Sequence, residues 1–213
     1  MTTVLYTDAD IAVAVKPAGL ISEDGTPAES FMPLLREALG CADLYPVHRL
    51  DKAVGGVMVY AKTKTAAAFL CAEVQRHAVE KTYLAKVHGI PTPPAGQMRD
   101  LLYFDARKNK TYVVDRVRGG VKEALLSYET LCAETDAALV RIQLYTGRAH
   151  QIRAQFAHRK MPLFGDRRYG ARDGEKQIHL FSHKLSFMHP TRREKMTFSA
   201  LPPFADGAEI ELR

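Results

Sequence analysis

The sequence predicts an α+β fold, and three observations carry that reading. Runs with two-residue alternation follow one another along the chain. Three stretches keep the 3.6-residue apolar period of a helix, and no internal repeat imposes a regular βαβ series. Val4-Leu5-Tyr6 and Ile11-Ala12-Val13-Ala14-Val15 flank Thr7-Asp8-Ala9-Asp10 as a hairpin, closed by Lys16-Pro17-Ala18-Gly19. Phe31, Leu34, Leu35, Ala38 and Leu39 keep helical spacing, with Gly40 as the stop. Val57-Met58-Val59-Tyr60-Ala61 reads as a core strand by its length and β-branched content. Ala67, Leu70, Cys71, Val74 and Ala78 predict a helix over about 64–78.

Tyr83, Ala85 and Val87 alternate with Thr82, Leu84 and Lys86 as a further strand, which Pro91, Pro93 and Pro94 end. Charged and Gly-ended, the segment 105–121 predicts an exposed hairpin or loop. Val140, Ile142 and Leu144 mark a half-buried strand, and Thr146-Gly147 turns into a helix with Ala149, Ile152 and Phe156 on its apolar side. Pro162-Leu163-Phe164-Gly165-Asp166 reads as loop, and short strands are expected around His189-Pro190.

At 213 residues the chain predicts one domain, or one domain in two lobes. Thirty Lys and Arg against 24 Asp and Glu leave a net charge of +6, which favours a polyanionic partner. Arg107, Lys108, Lys110, Arg116, Arg118 and Lys122 form one basic cluster. Arg148, Arg153, Arg159, Lys160, Arg167 and Arg168 form another, and the two flank one predicted strand as the sides of a cationic groove. Three scattered cysteines give neither a disulfide framework nor a metal-ligand spacing, which points to a reducing cytoplasm. No secretory signal pattern and no apolar run of membrane-spanning length is present, so a soluble cytoplasmic protein is expected.

The most informative stretch is His48-Arg49-Leu50-Asp51, followed by Lys-Ala-Val-Gly-Gly and the core strand. It places a carboxylate at the mouth of a core, where an isolated charge is costly and where a nucleophile or general base is held. An aspartate that merely caps a turn is the plain alternative. Arg153 shares a helix face with apolar residues, so its guanidinium points to the core and needs a carboxylate; Asp51 is the natural partner. Snorkelling to water past a small residue is the alternative for Arg153. Tyr83 by itself reads as a core tyrosine. His179 and His183 are four apart, as metal ligands on a helix would be, but no third ligand stands at a recognised spacing. No phosphate-cradling glycine loop and no nucleophile elbow occurs.

Together these residues resemble the RluA-type family of RNA pseudouridine synthases. The matching segments are Lys16-Pro17-Ala18-Gly19, His48-Arg49-Leu50-Asp51 through Gly56 to Ala61-Lys62, Lys81-Thr82-Tyr83-Leu84-Ala85, and Thr146-Gly147-Arg148-Ala149-His150-Gln151-Ile152-Arg153. Pro162–Asp166 with Tyr169-Gly170, and Phe187-Met188-His189-Pro190, complete a series that keeps its order from about residue 11 to 204. The resemblance implies a pseudouridine synthase fold, a mixed and mostly antiparallel sheet with flanking helices and a long RNA-binding cleft. It also implies an isomerase that cuts the uridine N-glycosidic bond, rotates the base and rejoins the sugar to C5, with no cofactor and no metal.

On this resemblance the catalytic residues are Asp51 as nucleophile, Tyr83 as the base-stacking aromatic and Arg153 as the partner of the aspartate. Ile152 packs near the base, Arg49 fills the space left by the extruded nucleotide, and His48, Arg148, His150 and Gln151 complete the substrate-binding set. The partner implied is structured RNA, a ribosomal or transfer RNA stem-loop, met by a monomeric catalytic domain spanning 1–213 without an N-terminal RNA-binding module. Val54-Gly55 stands where relatives often carry Thr-Ser, and Ala149 replaces a usual hydroxyl residue.

Two other function classes compete. A non-catalytic RNA-binding or chaperone protein would keep the cleft, but binding alone needs no Asp51. A nucleoside hydrolase-like glycosidase would need a second catalytic carboxylate near the motifs, and none is found there.

Overall fold

The alternation around Thr7-Asp8-Ala9-Asp10 closes the expected hairpin, strands β1 (Thr3–Thr7) and β2 (Ile11–Lys16). Asp8 Oδ1 accepts the backbone N–H groups of Asp10 and Ile11 at 2.8 and 2.9 Å, the turn geometry that favours aspartate there. The structure is a computed structural model describing residues 2–26 and 28–205. Among these the chain divides into two compact units, residues up to 81 with 181–202, and residues 82–180 with 203–205.

In the first unit the order is β1-β2-β4-β10, with β3 (Tyr45–Pro46) on β4 (Gly55–Ala61) and β11 (Lys195–Ser199) on β10 (Leu180–Met188). All pairs are antiparallel except β10 with β4, which run parallel through Phe181–Gly55 and Ser182–Gly56. Gly56 has φ 130°, and a Cβ there would lie 2.4 Å from the Ser182 carbonyl oxygen, so the parallel approach requires glycine. β4 is buried throughout, as its apolar run predicts.

Helix α1 (Phe31–Leu39) starts where the Ser30 hydroxyl accepts the Met32 N–H and ends at Gly40 in the left-handed conformation. Helix α2 (Lys64–Gln75) is capped by Thr63 and ends three residues before the predicted limit, because His77 turns left-handed at φ 60°. Ile11, Val13, Val57, Val59, Leu70, Leu185 and Phe187 form this unit's core.

In the second unit β5 (Glu80–His88), β9 (Ala137–Leu144), β8 (Val121–Ala133), β6 (Ala95–Asp105) and β7 (Lys110–Val114) are antiparallel neighbours in that order. The hairpin expected over 105–121 is the β6–β7 arm with its turn, followed by the loop into β8. Helix α3 (Gln151–His158) packs Ala154 against Leu102 and Ala124.

Three expectations change here. α3 begins after Ala149, which is exposed, and every residue from Gln151 to Phe156 is buried, so the helix has no single apolar face. β6 and β8 are long strands that alternation did not reveal. On β6 the buried row of Met98 and Leu102 is interrupted by Asp100, which Arg159 neutralises and Gln155 hydrogen-bonds. β10 is one nine-residue strand, not short pieces; burial on both its faces removes the alternation.

Candidate active site

The Asp51 turn in the first unit is held from several directions. The Ser22 hydroxyl accepts the Leu50 N–H and donates to the Leu50 carbonyl, both at 3.0 Å. Gly19 N–H donates to the Lys52 carbonyl at 2.7 Å, and Val54 N–H to the Asp51 carbonyl at 2.9 Å. His48 Nε2 accepts the Val59 N–H at 3.3 Å. Burial, with the positive charge of Lys81, pushes the His48 pKa down to about 3, so the ring is neutral and anchors the turn to β4. Arg49 is largely exposed and pairs with Glu23 at 3.4 Å. Asp51 itself is half-buried at the N-terminal mouth of β4.

By local pattern Lys16 is an ordinary turn residue at the end of β2, but it is fully buried. Its ammonium donates to the carbonyls of Pro17 at 2.9 Å and Leu20 at 2.6 Å. Burial lowers its pKa to about 8 against the opposing pull of the Asp51 carboxylate, so the charge of Asp51 is felt at the buried ammonium. The signal available in the sequence was a lysine ending a strand of otherwise apolar residues.

Gly55, where the family resemblance implies a serine, is closely packed. A Cβ there would meet the Lys16 carbonyl oxygen at 3.1 Å and the Ala18 nitrogen at 3.3 Å, tighter than ordinary contact. The Lys16–Ala18 backbone lies directly on the strand. Gly55→Ser is expected to lower the unfolding free energy by roughly 1–2 kcal/mol through overpacking, measured by urea denaturation. Unchanged stability would mean that the Lys16 segment moves away freely.

In the second unit Tyr83 is buried on β5 opposite Ile142, which stands opposite Tyr128 on β8. Cross-strand partners share a face, and the Tyr128 ring meets Phe156 of α3 edge-on at 5.9 Å, so Tyr83 faces the α3 side of its sheet. Ile152 and Arg153 of α3 are buried. Arg153 Nε and Nη2 donate to the two carboxylate oxygens of buried Asp166 at 2.7 and 2.9 Å. The guanidinium also lies 5.0 Å from the centre of the Tyr169 ring. The sequence requires a carboxylate for a buried Arg153, and Asp166, from a loop that also matches the family pattern, supplies one.

The remaining expected binders in this unit frame the turn into α3. Gln151 accepts from the Arg148 N–H and the Thr146 hydroxyl and donates to the Leu125 carbonyl, which ties the turn to β8. Arg148 Nε donates to the Glu123 carbonyl at 2.9 Å. His150 precedes the helix in the left-handed conformation, φ 51°, with Nδ1 3.1 Å from the Tyr169 hydroxyl.

The two basic clusters meet where Arg168 Nη1 donates to the carbonyls of Lys108 and Asn109. Arg107, Lys108, Arg167 and Arg168 are exposed at this patch. Arg153 and Arg159 are withdrawn from it, held by Asp166 and by Asp100.

His183 lies on a strand, so the helical ligand spacing proposed for it with His179 does not arise. Asp8, Asp10 and His189 bring ligand atoms within 4.8 Å of one another. Their hydrogen bonds account for the cluster: His189 Nδ1 accepts the N–H groups of Thr191 and Arg192, and its Nε2 donates to Asp8 at 2.8 Å. Partial burial works to raise the Asp8 pKa, but the N–H donors of Ile11 and Asp10 outweigh it and hold it at about 2.

Residues 10–158 match the family model described as RNA pseudouridylate synthase. The chain is 34% identical over 208 residues to the dual-specificity RNA pseudouridine synthase RluA of Escherichia coli, covering 94% of this chain and 93% of that protein. It is 31% identical to an uncharacterised RNA pseudouridine synthase of Mycoplasma pneumoniae, covering 92% of this chain but spanning 65% of that relative. Among solved structures, human RNA pseudouridylate synthase domain containing 4 superposes with a TM-score of 0.78 at 25% identity, covering 95% of this chain and 89% of that one.

Proposed function

The chain belongs to the RNA pseudouridylate synthase family and is an RNA pseudouridine synthase, and we propose that Asp51 performs its chemistry on flipped-out uridines of ribosomal or transfer RNA stem-loops. The observation that carries this reading is the Asp51 turn, pinned by Ser22, Gly19 and His48 beside a buried Lys16. A carboxylate held in that way attacks C1′ or removes a sugar proton, and either route releases uracil without external water. The base then rotates, C5 bonds to C1′ as Asp51 is restored to its starting carboxylate, C5 gives up its proton and N1 takes one up.

Extracting the uridine costs on the order of a few kcal/mol, and stacking on Tyr83 returns ~1–3 kcal/mol. Arg153, oriented by Asp166 and Tyr169, holds charge near the reacting sugar, with Ile152 packing by the base. Arg49, exposed and loosely paired, fills the vacated position in the helix. Tritium release from RNA labelled at uridine C5 tests the activity, and sequencing of pseudouridines in cells with and without the protein identifies the RNA. No release from total cellular RNA would overturn the assignment.

The exposed patch of Arg107, Lys108, Arg167 and Arg168 supports phosphate contacts with the RNA, and we propose a monomeric enzyme in the cytoplasm. Among the described residues no helix is long and apolar enough to cross a membrane. Binding is expected to weaken steeply with salt, and Lys108→Glu or Arg167→Glu to reduce the salt slope by about one unit each. Affinity that barely responds to salt, measured by fluorescence titration, would argue for a small-molecule substrate.

A further inference from the structure

Tyr169 lies in the short helical turn after Asp166, and the chemistry described so far leaves most of its contacts unused. Its hydroxyl accepts the Thr111 N–H of β7 at 2.7 Å and stands 3.1 Å from His150 Nδ1. Its ring faces the Arg153 guanidinium at 5.0 Å and the Lys110 ammonium at 5.2 Å. Thr111 adds a second tie, its hydroxyl donating to the Ala149 carbonyl at 2.6 Å, one residue before His150. Beside it Arg168 binds the carbonyls of Lys108 and Asn109, at the turn of the β6–β7 arm that carries the exposed cations. One buried phenol therefore touches the arm, the residue preceding α3, and Arg153.

We propose that Tyr169 is a positioning residue that couples RNA contact on the β6–β7 arm to the placement of Arg153 and His150. The inference rests on the proposed RNA reaction for its purpose, but its geometry lies wholly within the second unit. The phenol oxygen accepts from the Thr111 backbone, and in the proposed relay its own proton points at His150 Nδ1, not the reverse. His150 is thereby fixed as the Nε2–H tautomer, with that donor turned away from Tyr169. The ring face holds the guanidinium plane on one side while Asp166 clamps two of its nitrogen atoms. Phosphates bound at Arg107 and Lys108 load the arm, and Thr111 passes the restraint to the ring and to Ala149-His150.

Tyr169→Phe keeps the ring and its packing but removes the hydroxyl. The expected result is a kcat about tenfold lower with KM within about twofold, because binding contacts remain while alignment is lost. Neutralising the arm tip with Arg107→Ala and Lys108→Ala should lower kcat and raise KM in the wild type. In the Tyr169→Phe background the same pair should raise KM without a further fall in kcat. Losses in kcat that simply multiply, or a wild-type kcat in Tyr169→Phe, would overturn the coupling.

A readout independent of turnover separates this proposal from the reaction itself. Ring ¹⁵N shifts of His150 should report the Nε2–H tautomer in the wild type and a mixture in Tyr169→Phe; an unchanged tautomer overturns the proposal even if the enzyme is active. If the wild type forms no pseudouridine, the functional assignment fails while the tautomer measurement still decides the hydrogen-bond relay. Should Tyr169→Phe be insoluble, Thr111→Val removes the tie to Ala149 and carries the same test, and a folded Thr111→Val with wild-type kcat counts against the coupling.

Discussion

Asp51→Asn is expected to abolish pseudouridine formation, by at least about 10⁴-fold, while RNA affinity stays within about twofold. The amide keeps the size of the side chain but can neither attack C1′ nor take a sugar proton. The turn itself should survive, because the Ser22 hydroxyl on Leu50, the Gly19 N–H on Lys52 and the His48 ring on β4 remain to fix it. Tritium release and a binding titration on the same RNA separate the two effects. Turnover near the wild-type rate would remove Asp51 from the chemistry, and loss of binding with turnover would recast it as structural.

The same substitution also reaches Lys16. The Asp51 charge supports the protonated lysine against burial, so Asp51→Asn should lower the Lys16 pKa below its value of about 8. The folded pKa lies below the ordinary lysine value of 10.5, so burying the charged form is a cost in full below the folded pKa. That cost is relieved as pH rises from about 8 toward 10.5, where the unfolded chain binds the extra proton and stability increases. In Asp51→Asn the rise should begin at lower pH.

Local sequence revealed much of this arrangement, and particular residues show where it stopped. The run after Asp51 was legible because β4 is buried on every residue, and an apolar run beside a carboxylate is conspicuous. The burial of Arg153 was legible from its apolar neighbours, although α3 is buried all round and not along one stripe. Its partner Asp166 was not, since periodicity places a side chain toward a core but says nothing of what a later loop brings to it. β6 and β8 were hidden for a related reason: Asp100 sits on the buried row and is neutralised by Arg159, a contact 59 residues away in sequence. Lys16 was hidden because its ammonium is satisfied by carbonyls, which no side-chain pattern records.

Arg153→Ala is expected to lower the unfolding free energy by ~3–5 kcal/mol, chiefly because Asp166 would be left as an unpaired charge. Asp166 is 1% exposed, so water cannot replace the lost donors without opening the unit. For a chain of this size the melting temperature should fall by roughly 10 °C. Arg153→Lys should fall between wild type and Arg153→Ala, since an ammonium keeps the charge but not the two-nitrogen clamp or the stack on Tyr169. Asp166→Asn should be milder than Arg153→Ala, because the amide oxygen still accepts from the guanidinium.

The double variant Arg153→Ala with Asp166→Ala should recover part of the stability lost by Arg153→Ala alone, as no charge remains stranded. A parallel cycle with Asp51→Ala measures the pairing of Arg153 with the nucleophile that the family resemblance implies. Its stability coupling should be the smaller of the two, because Asp166 keeps the guanidinium satisfied when Asp51 is removed, whereas its effect on turnover should be the larger. Simple additivity in the Asp166 cycle, measured by chemical denaturation, would show that the buried clamp does not stabilise Arg153. Additivity in the Asp51 cycle alone would leave the clamp standing and reject Asp51 as the partner of Arg153.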